Sequence, residues 1–336
     1  MLAYLARRML LAFFTIWVIS ILAFFIIELP QGDAADKWLD WAMQEGNSFD
    51  PEGAALIRTY LGLDEPQYFR YSKWVWNLLK GDMGISFGTG YYADGEQPIK
   101  RIIGDRIWMT IVLTGFTILV TWVFAIPVGI YSAVRQHSIG DYTFTLLGFT
   151  GLAVPDFLLG LVLMYVAFAY FDQSVGGLFS ADYMNVPWSM GRVYDLFKHL
   201  WIPAAVLGTS GTAGLIRVMR NNLLDELGKP YVVTARAKGV APWKVIVKYP
   251  VRVAINPLVS TVGYLLPSLV SGSVIVSVVL SLPTMGPILL TAIQNQDSYL
   301  AGFIILMLGV LTVLGTLVSD ILLAVVDPRI KLTSRT

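Results

Sequence analysis

The chain contains no cysteine, which excludes disulfides, thiolate nucleophiles and cysteine-based metal sites. Its two histidines, His137 and His199, have no carboxylate at metal-motif spacing, so a zinc site is not expected. Charge is scarce as well: 14% of the residues are Asp, Glu, Lys or Arg, against about 25% in an ordinary soluble domain. A net charge of +1 gives no electrostatic reason to expect nucleic acid. The motifs of phosphate and nucleophile chemistry are also missing. Gly228-Lys229 is followed by Pro230 and lacks the upstream glycine of a phosphate-binding loop, and no H-E-x-x-H, G-x-S-x-G or G-x-G-x-x-G occurs. An enzyme is therefore not expected, nor a cofactor or metal held by this chain.

Apolar residues are abundant, at 56% of 336, with a mean hydropathy of +0.64. A membrane-crossing helix needs roughly 20 mostly apolar residues. Six stretches qualify: about 9–29, 108–132, 142–171, 200–217, 256–280 and 302–326. The first, "MLLAFFTIWVISILAFFIIEL", competes with a signal peptide. Its apolar run exceeds the roughly 7–15 residues of such a segment, and no small-x-small cleavage site follows closely, so a retained anchor is expected. The fourth is rich in Gly, Ser, Thr and Pro, which suits close packing inside a bundle better than contact with lipid.

Charge orients the chain. With both termini inside, segments 1–8, 133–141, 217–252 and 327–336 hold fourteen Lys and Arg against four acids, while the outer side holds ten against seventeen, counting Glu28 at the end of the first span. That asymmetry follows the positive-inside rule. The organisation expected is an N-terminal segment with the first membrane helix (1–29), an extracytoplasmic helical insertion (30–107), a membrane core (108–326) carrying a cytoplasmic loop at 217–252, and a cytoplasmic tail (327–336). The insertion carries Trp38, Trp41, Trp74 and Trp76 and reads as two or three short amphipathic helices followed by a turn at Gly81, Gly84 and Gly88. It is either an aromatic-anchored interfacial cap or a docking surface for an external partner.

The inner loop at 217–252 has eight Lys and Arg. As a topology signal its charges would simply face water and lipid headgroups, but that leaves its internal order unexplained. Pro230 suits a first helical position, Gly239 a C-terminal cap two turns later, and Pro242 a second start. Ala235 and Ala237 are small enough for close approach by another protein, and the flanking cations would orient it.

"TARAKGVAPWKVIVKYPVRVAINPLVS" resembles the cytoplasmic EAA-type loop of ABC importer permeases, in the A-R-A-K-G form of the oligopeptide and dipeptide family. "YLARRMLLAFFTIWVISILAFF" is similar to that family's first helix, "LDEPQYFRYSKWVWNLLKGDMGISF" to its first external segment, and "SDILLAVVDPRI" to its closing motif. The resemblance implies an all-α type I importer permease in a bacterial inner membrane. Two such permeases would form the pore. Two ATPases, carrying the ATP and Mg²⁺, would bind inside, and a solute-binding protein would deliver cargo from outside. Thr234, Ala235, Arg236, Ala237, Lys238 and Gly239 would form the coupling helix seated on an ATPase. One departure bears on cargo. Ser277 stands where peptide-importing members often carry glutamate, and Ser281 and Thr284 where glycines are common. Oligosaccharide importers share this scaffold, so they are the alternative to peptide importers.

Polar residues inside the spans are the remaining candidates. Asp156, beside Pro155, is either a pathway residue or a solvated helix-end acid. Asp320 belongs with Asp327 and Pro328 to the closing motif, where a structural partner such as a loop arginine is expected. Ser210, Thr212, Ser268, Ser271, Ser273 and Ser277 are either packing hydroxyls or a polar translocation lining offering weak contacts. Met164, Met219, Met285 and Met307 read as gap-filling core. The readings outside this class are a stand-alone channel or secondary transporter and a non-transporting scaffold. The first predicts uptake without an ATPase, and the second leaves the hydroxyl-rich spans unexplained.

Overall fold

The computed structural model describes residues 2–29, 35–36, 39, 43, 51–86, 97–171, 173, 176–184, 186–295 and 297–326. In chain order the helices are α1 (Leu2–Glu28), α2 (Pro51–Leu61), α3 (Gln67–Leu79), α4 (Ile99–Val134), α5 (Ile139–Ala153), α6 (Asp156–Phe171), α7 (Met190–Leu227), α8 (Pro230–Ala237), α9 (Pro242–Lys248), α10 (Pro250–Ala254), α11 (Asn256–Val279), α12 (Met285–Gln294) and α13 (Ser298–Val326). Before α4, β1 (Ile85–Ser86) pairs antiparallel with β2 (Gln97–Pro98).

Each stretch expected to span is helical, but three differ in form. The second helix starts at Ile99, well inside the segment expected to be an external insertion. The third is not continuous: α5 and α6 meet at a 105° bend. Pro155 causes it, because its ring drives Val154 to extended backbone (ψ 127°) and its missing N–H cannot continue the helix. The fourth runs much further than 200–217, through all of α7, and bends by 55° between Thr209 and Gly211. Glycines and a Thr209 hydroxyl that donates back to the Ala205 carbonyl loosen it there. By length and composition, residues 6–28, 99–134 and 298–323 can cross a membrane singly, and the two bent pairs bring the total to as many as five among the described residues. The expected span at 256–280 is helical as α11.

The chain divides into two compact units: Met1–Met9, Ile111–Pro283 and Leu314–Thr336 form one, Leu10–Thr110 and Thr284–Val313 the other. In the first, α7 packs against α5, α6, α10 and α11. Leu215, Met219 and Leu223 of α7 meet Ala125, Ala133, Ala254 and Leu258 in one apolar cluster. Two ion pairs fix its polar groups. Asp141, buried on α5, accepts two hydrogen bonds from Arg220, both 3.0 Å, and a third from the His137 amide at 3.0 Å. Asp320 on α13 meets Arg8 of α1 at 3.0 Å, so its arginine comes from the first helix and not from a loop. The Ser319 hydroxyl beside it donates to the Val259 carbonyl at 2.8 Å.

In the second unit Ile99, Ile102 and Ile103 pack with Met285, Ile288 and Ala292 of α12 and Leu300, Phe303 and Ile304 of α13. Helix α3 lies against α1: Phe24 touches Tyr71 and Trp74 at ring distances of 5.6 and 5.9 Å, the Ser20 and Tyr71 hydroxyls are 2.7 Å apart, and Arg70 pairs with Glu28. The expected Gly81 and Gly84 turn is present, both at φ +84°, while Gly88 lies outside the described residues. Met219 and Met285 are fully buried, as gap-filling core should be; Met164 and Met307 are half-buried.

Helix α11 ends in a Schellman motif. The Leu282 amide donates to the Ser277 carbonyl at 2.7 Å and the Ser281 amide to the Val278 carbonyl at 3.1 Å, with Ser281 held at φ +52°. That is left-handed backbone, which glycine adopts without the penalty a Cβ brings. Ser281→Gly should therefore raise stability by about 0.5–1 kcal/mol, the left-handed strain relieved less the extra chain entropy of glycine. A thermal unfolding comparison of the purified chains checks this; an unchanged or lower midpoint contradicts it.

Candidate coupling surface

From Lys229 to Ile255 the sequence has no acid, and the structure folds this stretch into three short helices, each begun by a proline. Pro230 opens α8, Pro242 opens α9 and Pro250 opens α10. Proline costs nothing at a first position, whose N–H has no helical partner anyway. Helix α8 closes as the residue types require. The Gly239 amide donates to the Arg236 carbonyl at 2.9 Å and the Val240 amide to the Ala235 carbonyl at 3.3 Å, with Gly239 at φ +71°. The chain then reverses, and Val232, Ala235 and Val245 form a small buried cluster with Val240 and Tyr249 packed on it. The Tyr231 hydroxyl donates to the Glu226 carboxylate, tying α8 to the end of α7.

This hairpin presents a mixed surface. Trp243 is 64% exposed, Val247 56% and Val233 55%. Arg236, Lys238, Lys244 and Lys248 surround them, with the Lys244 ammonium 5.5 Å from the Trp243 ring centre. Exposed apolar anchors with a cationic rim make a docking surface for an acidic-rimmed groove.

Six residues were expected to make this contact, and the structure divides them. Arg236, Ala237, Lys238 and Gly239 are exposed. Thr234 is exposed too, but its hydroxyl is committed to the Pro230 carbonyl at 2.9 Å. Ala235 is buried: its small size serves the contact with Val232 and Val245, not with another protein. Trp243 was missed, although a tryptophan in a cation-rich loop is a visible signal. The re-entering segment is also not a single rod, since α9, α10 and α11 succeed one another in steps at Tyr249 and Ile255.

Of the residues expected to line a pathway, Asp156, Thr212 and Ser277 have described side chains. Asp156 is the half-buried first residue of α6, at the 105° bend. Thr212 is half-buried on α7 in a groove lined mainly by apolar side chains. Ser277 is fully buried, so it faces no open channel within this chain. Ser210 falls at the α7 bend; its side chain, like those of Ser268, Ser271 and Ser273, lies outside the described residues, as do Asp327 and Pro328 entirely. The Asp141–Arg220 pair was read only as two loop charges. Ser138, three residues before Asp141 and accepting a hydrogen bond from that residue's amide at 3.2 Å, was the available signal of an organised helix start.

Residues 125–332 match the family described as binding-protein-dependent transport system inner membrane component, and residues 1–114 match the corresponding N-terminal family of membrane components. The chain belongs to this family. It is 34% identical over 331 residues to the oligopeptide transport system permease protein AppB of Bacillus subtilis strain 168, covering 98% of this chain and 100% of that one. Against the dipeptide transport system permease protein DppB of Escherichia coli K12 the identity is 29% over 347 residues, covering 98% and 99%. A chain of the MetNI methionine ABC transporter, solved in an inward-facing conformation, shares the fold: TM-score 0.53 at 18% identity, over 69% of this chain and 99% of that one. The protein is thus a multi-pass inner-membrane permease with the ABC importer fold.

A Cβ at Gly239 would meet nothing within 4 Å, so in this permease any penalty there comes from backbone alone. Gly239→Asn should be tolerated, Gly239→Ala should cost about 1 kcal/mol and Gly239→Val about 2–3 kcal/mol of local stability. Amide exchange at Val240 should quicken in that order. Equal exchange across the series contradicts the cap assignment.

Proposed function

We propose that this chain is one of two pore-forming permease subunits of an ATP-driven importer of small peptides. Its surface at 230–248 would sit in a groove of a cytoplasmic ATPase, which binds and hydrolyses ATP with Mg²⁺. The observation that carries this reading is the acid-free, proline-started hairpin with its own apolar cluster and outward Trp243. A nucleotide-driven closure of the ATPase can bias the membrane helices only through an element that contacts it differently in two states. A packed hairpin tied to α7 through Tyr231 and Glu226 is such an element. The bias of Lys and Arg supports placing both termini and this hairpin in the cytoplasm. Peptide cargo rests on the names of the relatives, which are oligopeptide and dipeptide permeases. A solute-binding protein would supply that cargo from outside, as the family description implies.

Trp243→Ala should weaken association with the ATPase about 30-fold, the usual loss for a central aromatic anchor, while leaving membrane insertion intact. Arg236→Glu with Lys238→Glu should slow association and reduce its salt dependence. Gly239→Val should uncouple ATP turnover from uptake. Co-purification, ATPase and uptake assays on the reconstituted complex measure all three. Uptake that persists without any ATPase would reject the proposal in favour of a stand-alone carrier. Thermal-shift screening of the binding protein against peptides and oligosaccharides decides the cargo.

A further inference from the structure

Helix α3 carries aromatic residues on two sides. One side meets α1: Trp74 and Tyr71 lie against Phe24, the Tyr71 hydroxyl is 2.7 Å from the Ser20 hydroxyl, and Arg70 pairs with Glu28. The other side is exposed. Tyr68 is 75% and Leu79 76% accessible, and Phe69 and Trp76 are exposed with them. At 3.6 residues per turn these four share about 100° of the helix surface. Ser72 lies among them, but its hydroxyl already donates to the Tyr68 carbonyl at 2.8 Å. The face is therefore apolar in effect.

The contacts with α1 set the direction of that face. Going around α3 from Arg70 through Trp74 to Tyr71, the partners descend α1 from Glu28 through Phe24 to Ser20. Depth along α1 thus follows position around α3, not position along it, which is the arrangement of two crossing helices. Beyond Arg70 on the outward side come the positions of Asn77, Lys73 and Lys80, and the face of Tyr68, Leu79, Trp76 and Phe69 points away from α1. The Lys80 ammonium lies 5.0 Å from the Trp76 ring centre, at the outward rim of that face. Depth in the membrane follows from α1. Its 23-residue stretch Ala6–Glu28 can cross a bilayer. Centred in about 30 Å of hydrocarbon at 1.5 Å per residue, it puts Glu28 near the boundary, Phe24 about 4 Å inside and Ser20 about 10 Å inside. On the side of α1 turned away from α3, Leu22 and Phe25 are exposed at the same level. Apolar surface is thus exposed on both flanks of the helix pair at this depth.

We propose that α3 is an interfacial helix, lying across the outer end of α1 with Tyr68, Phe69, Trp76 and Leu79 in the headgroup–acyl boundary of the outer leaflet and Lys80 toward water. The occupant of its exposed face is lipid. Aromatic rings and a leucine on one face, with a lysine at the rim, are the composition that this boundary favours. For α3, this selects the aromatic-anchored cap from the two readings of the insertion that the sequence allows. The inference rests on the span of α1 and is independent of the cargo and of the coupling surface.

The absence of cysteine makes a direct test possible. Single nitroxide labels are attached through Tyr68→Cys, Trp76→Cys, Leu79→Cys and, in the turn before α3, Glu65→Cys. The full-length chain is reconstituted into phosphatidylethanolamine–phosphatidylglycerol vesicles. Collisions with oxygen, which concentrates in hydrocarbon, and with a nickel chelate, which stays in water, report the depth of each label. Labels at 68 and 79 should lie about 5–10 Å below the headgroup boundary, the label at 76 shallower, and the label at 65 in water. Positions 68 and 79 are about three turns apart, so a local disturbance at one leaves the other readable. Labels at 68 and 79 that meet the nickel chelate as freely as the label at 65 overturn the proposal. So does shielding of both from either reagent, which a second protein copy on this face would cause, or their immobilisation when the solute-binding protein is added.

Discussion

Hydrocarbon cannot hydrogen-bond to a peptide group, so a chain that crosses it must satisfy its backbone within helices and manage each place where a helix stops. Helix ends need the same closure outside the hydrocarbon, and the chain supplies it in the membrane helices and in the loop between them. Four of the helices that follow one another from Pro230 onward begin with proline at their first or second position. Two of the ends, at Gly239 and Ser281, are Schellman caps with a left-handed residue returning two amides to orphan carbonyls. Where the chain bends most sharply, at Val154 and Pro155, the Val154 amide still reaches the Thr150 carbonyl and the Pro155 carbonyl accepts from Leu158 and Leu159. The breaks are thus closed structures, with their end groups hydrogen-bonded.

The same logic makes the hairpin mechanically useful. A lone two-turn helix is unstable in water, so α8 can transmit force only if something else holds its shape. The cluster of Val232, Ala235 and Val245 does so internally, and Pro250 and Ala254 of the next helix are buried at the base. Displacing the hairpin therefore displaces α10 and α7, which pack on each other. The steps at Tyr249 and Ile255 place two corners between the hairpin and α11. The coupling proposed above would then run through a linkage of short segments and not through one lever.

How far the sequence discloses this depends on how local each cause is. Pro230, Gly239 and Pro242 were readable because caps act over three or four residues, and the structure has each in the role its chemistry suggests. The bend at Pro155 was visible as a proline, yet its angle of 105° depends on the packing of both arms. The inward turn of Ala235 was not readable, since an eight-residue helix is too short to show an apolar period. Arg8 as the partner of Asp320 was out of reach for another reason: the two lie near opposite ends of the chain, and no spacing rule joins them. Family resemblance supplied what local reading could not, placing the hairpin in an importer without revealing which of its side chains face outward.

A carboxylate placed centrally in a bilayer costs about 2.5–3.5 kcal/mol on insertion scales, and four acids of this chain's helices meet that cost in two ways. Glu28, Asp141 and Asp320 each have an arginine: Arg70, Arg220 and Arg8. Asp156 pairs with no cation among the described residues. It is instead the first residue of α6, where the unsatisfied amides of a helix start create a positive potential that favours a carboxylate without neutralising it. The break that Pro155 imposes is thus what makes an acid tolerable there. An arginine-paired acid is occupied by its partner; one stabilised only by a helix start keeps its oxygens available, and it sits at the joint where the two arms of the bent span change direction. Of the acids in these helices named here, Asp156 is the one that a helix start holds without a cation among the described residues.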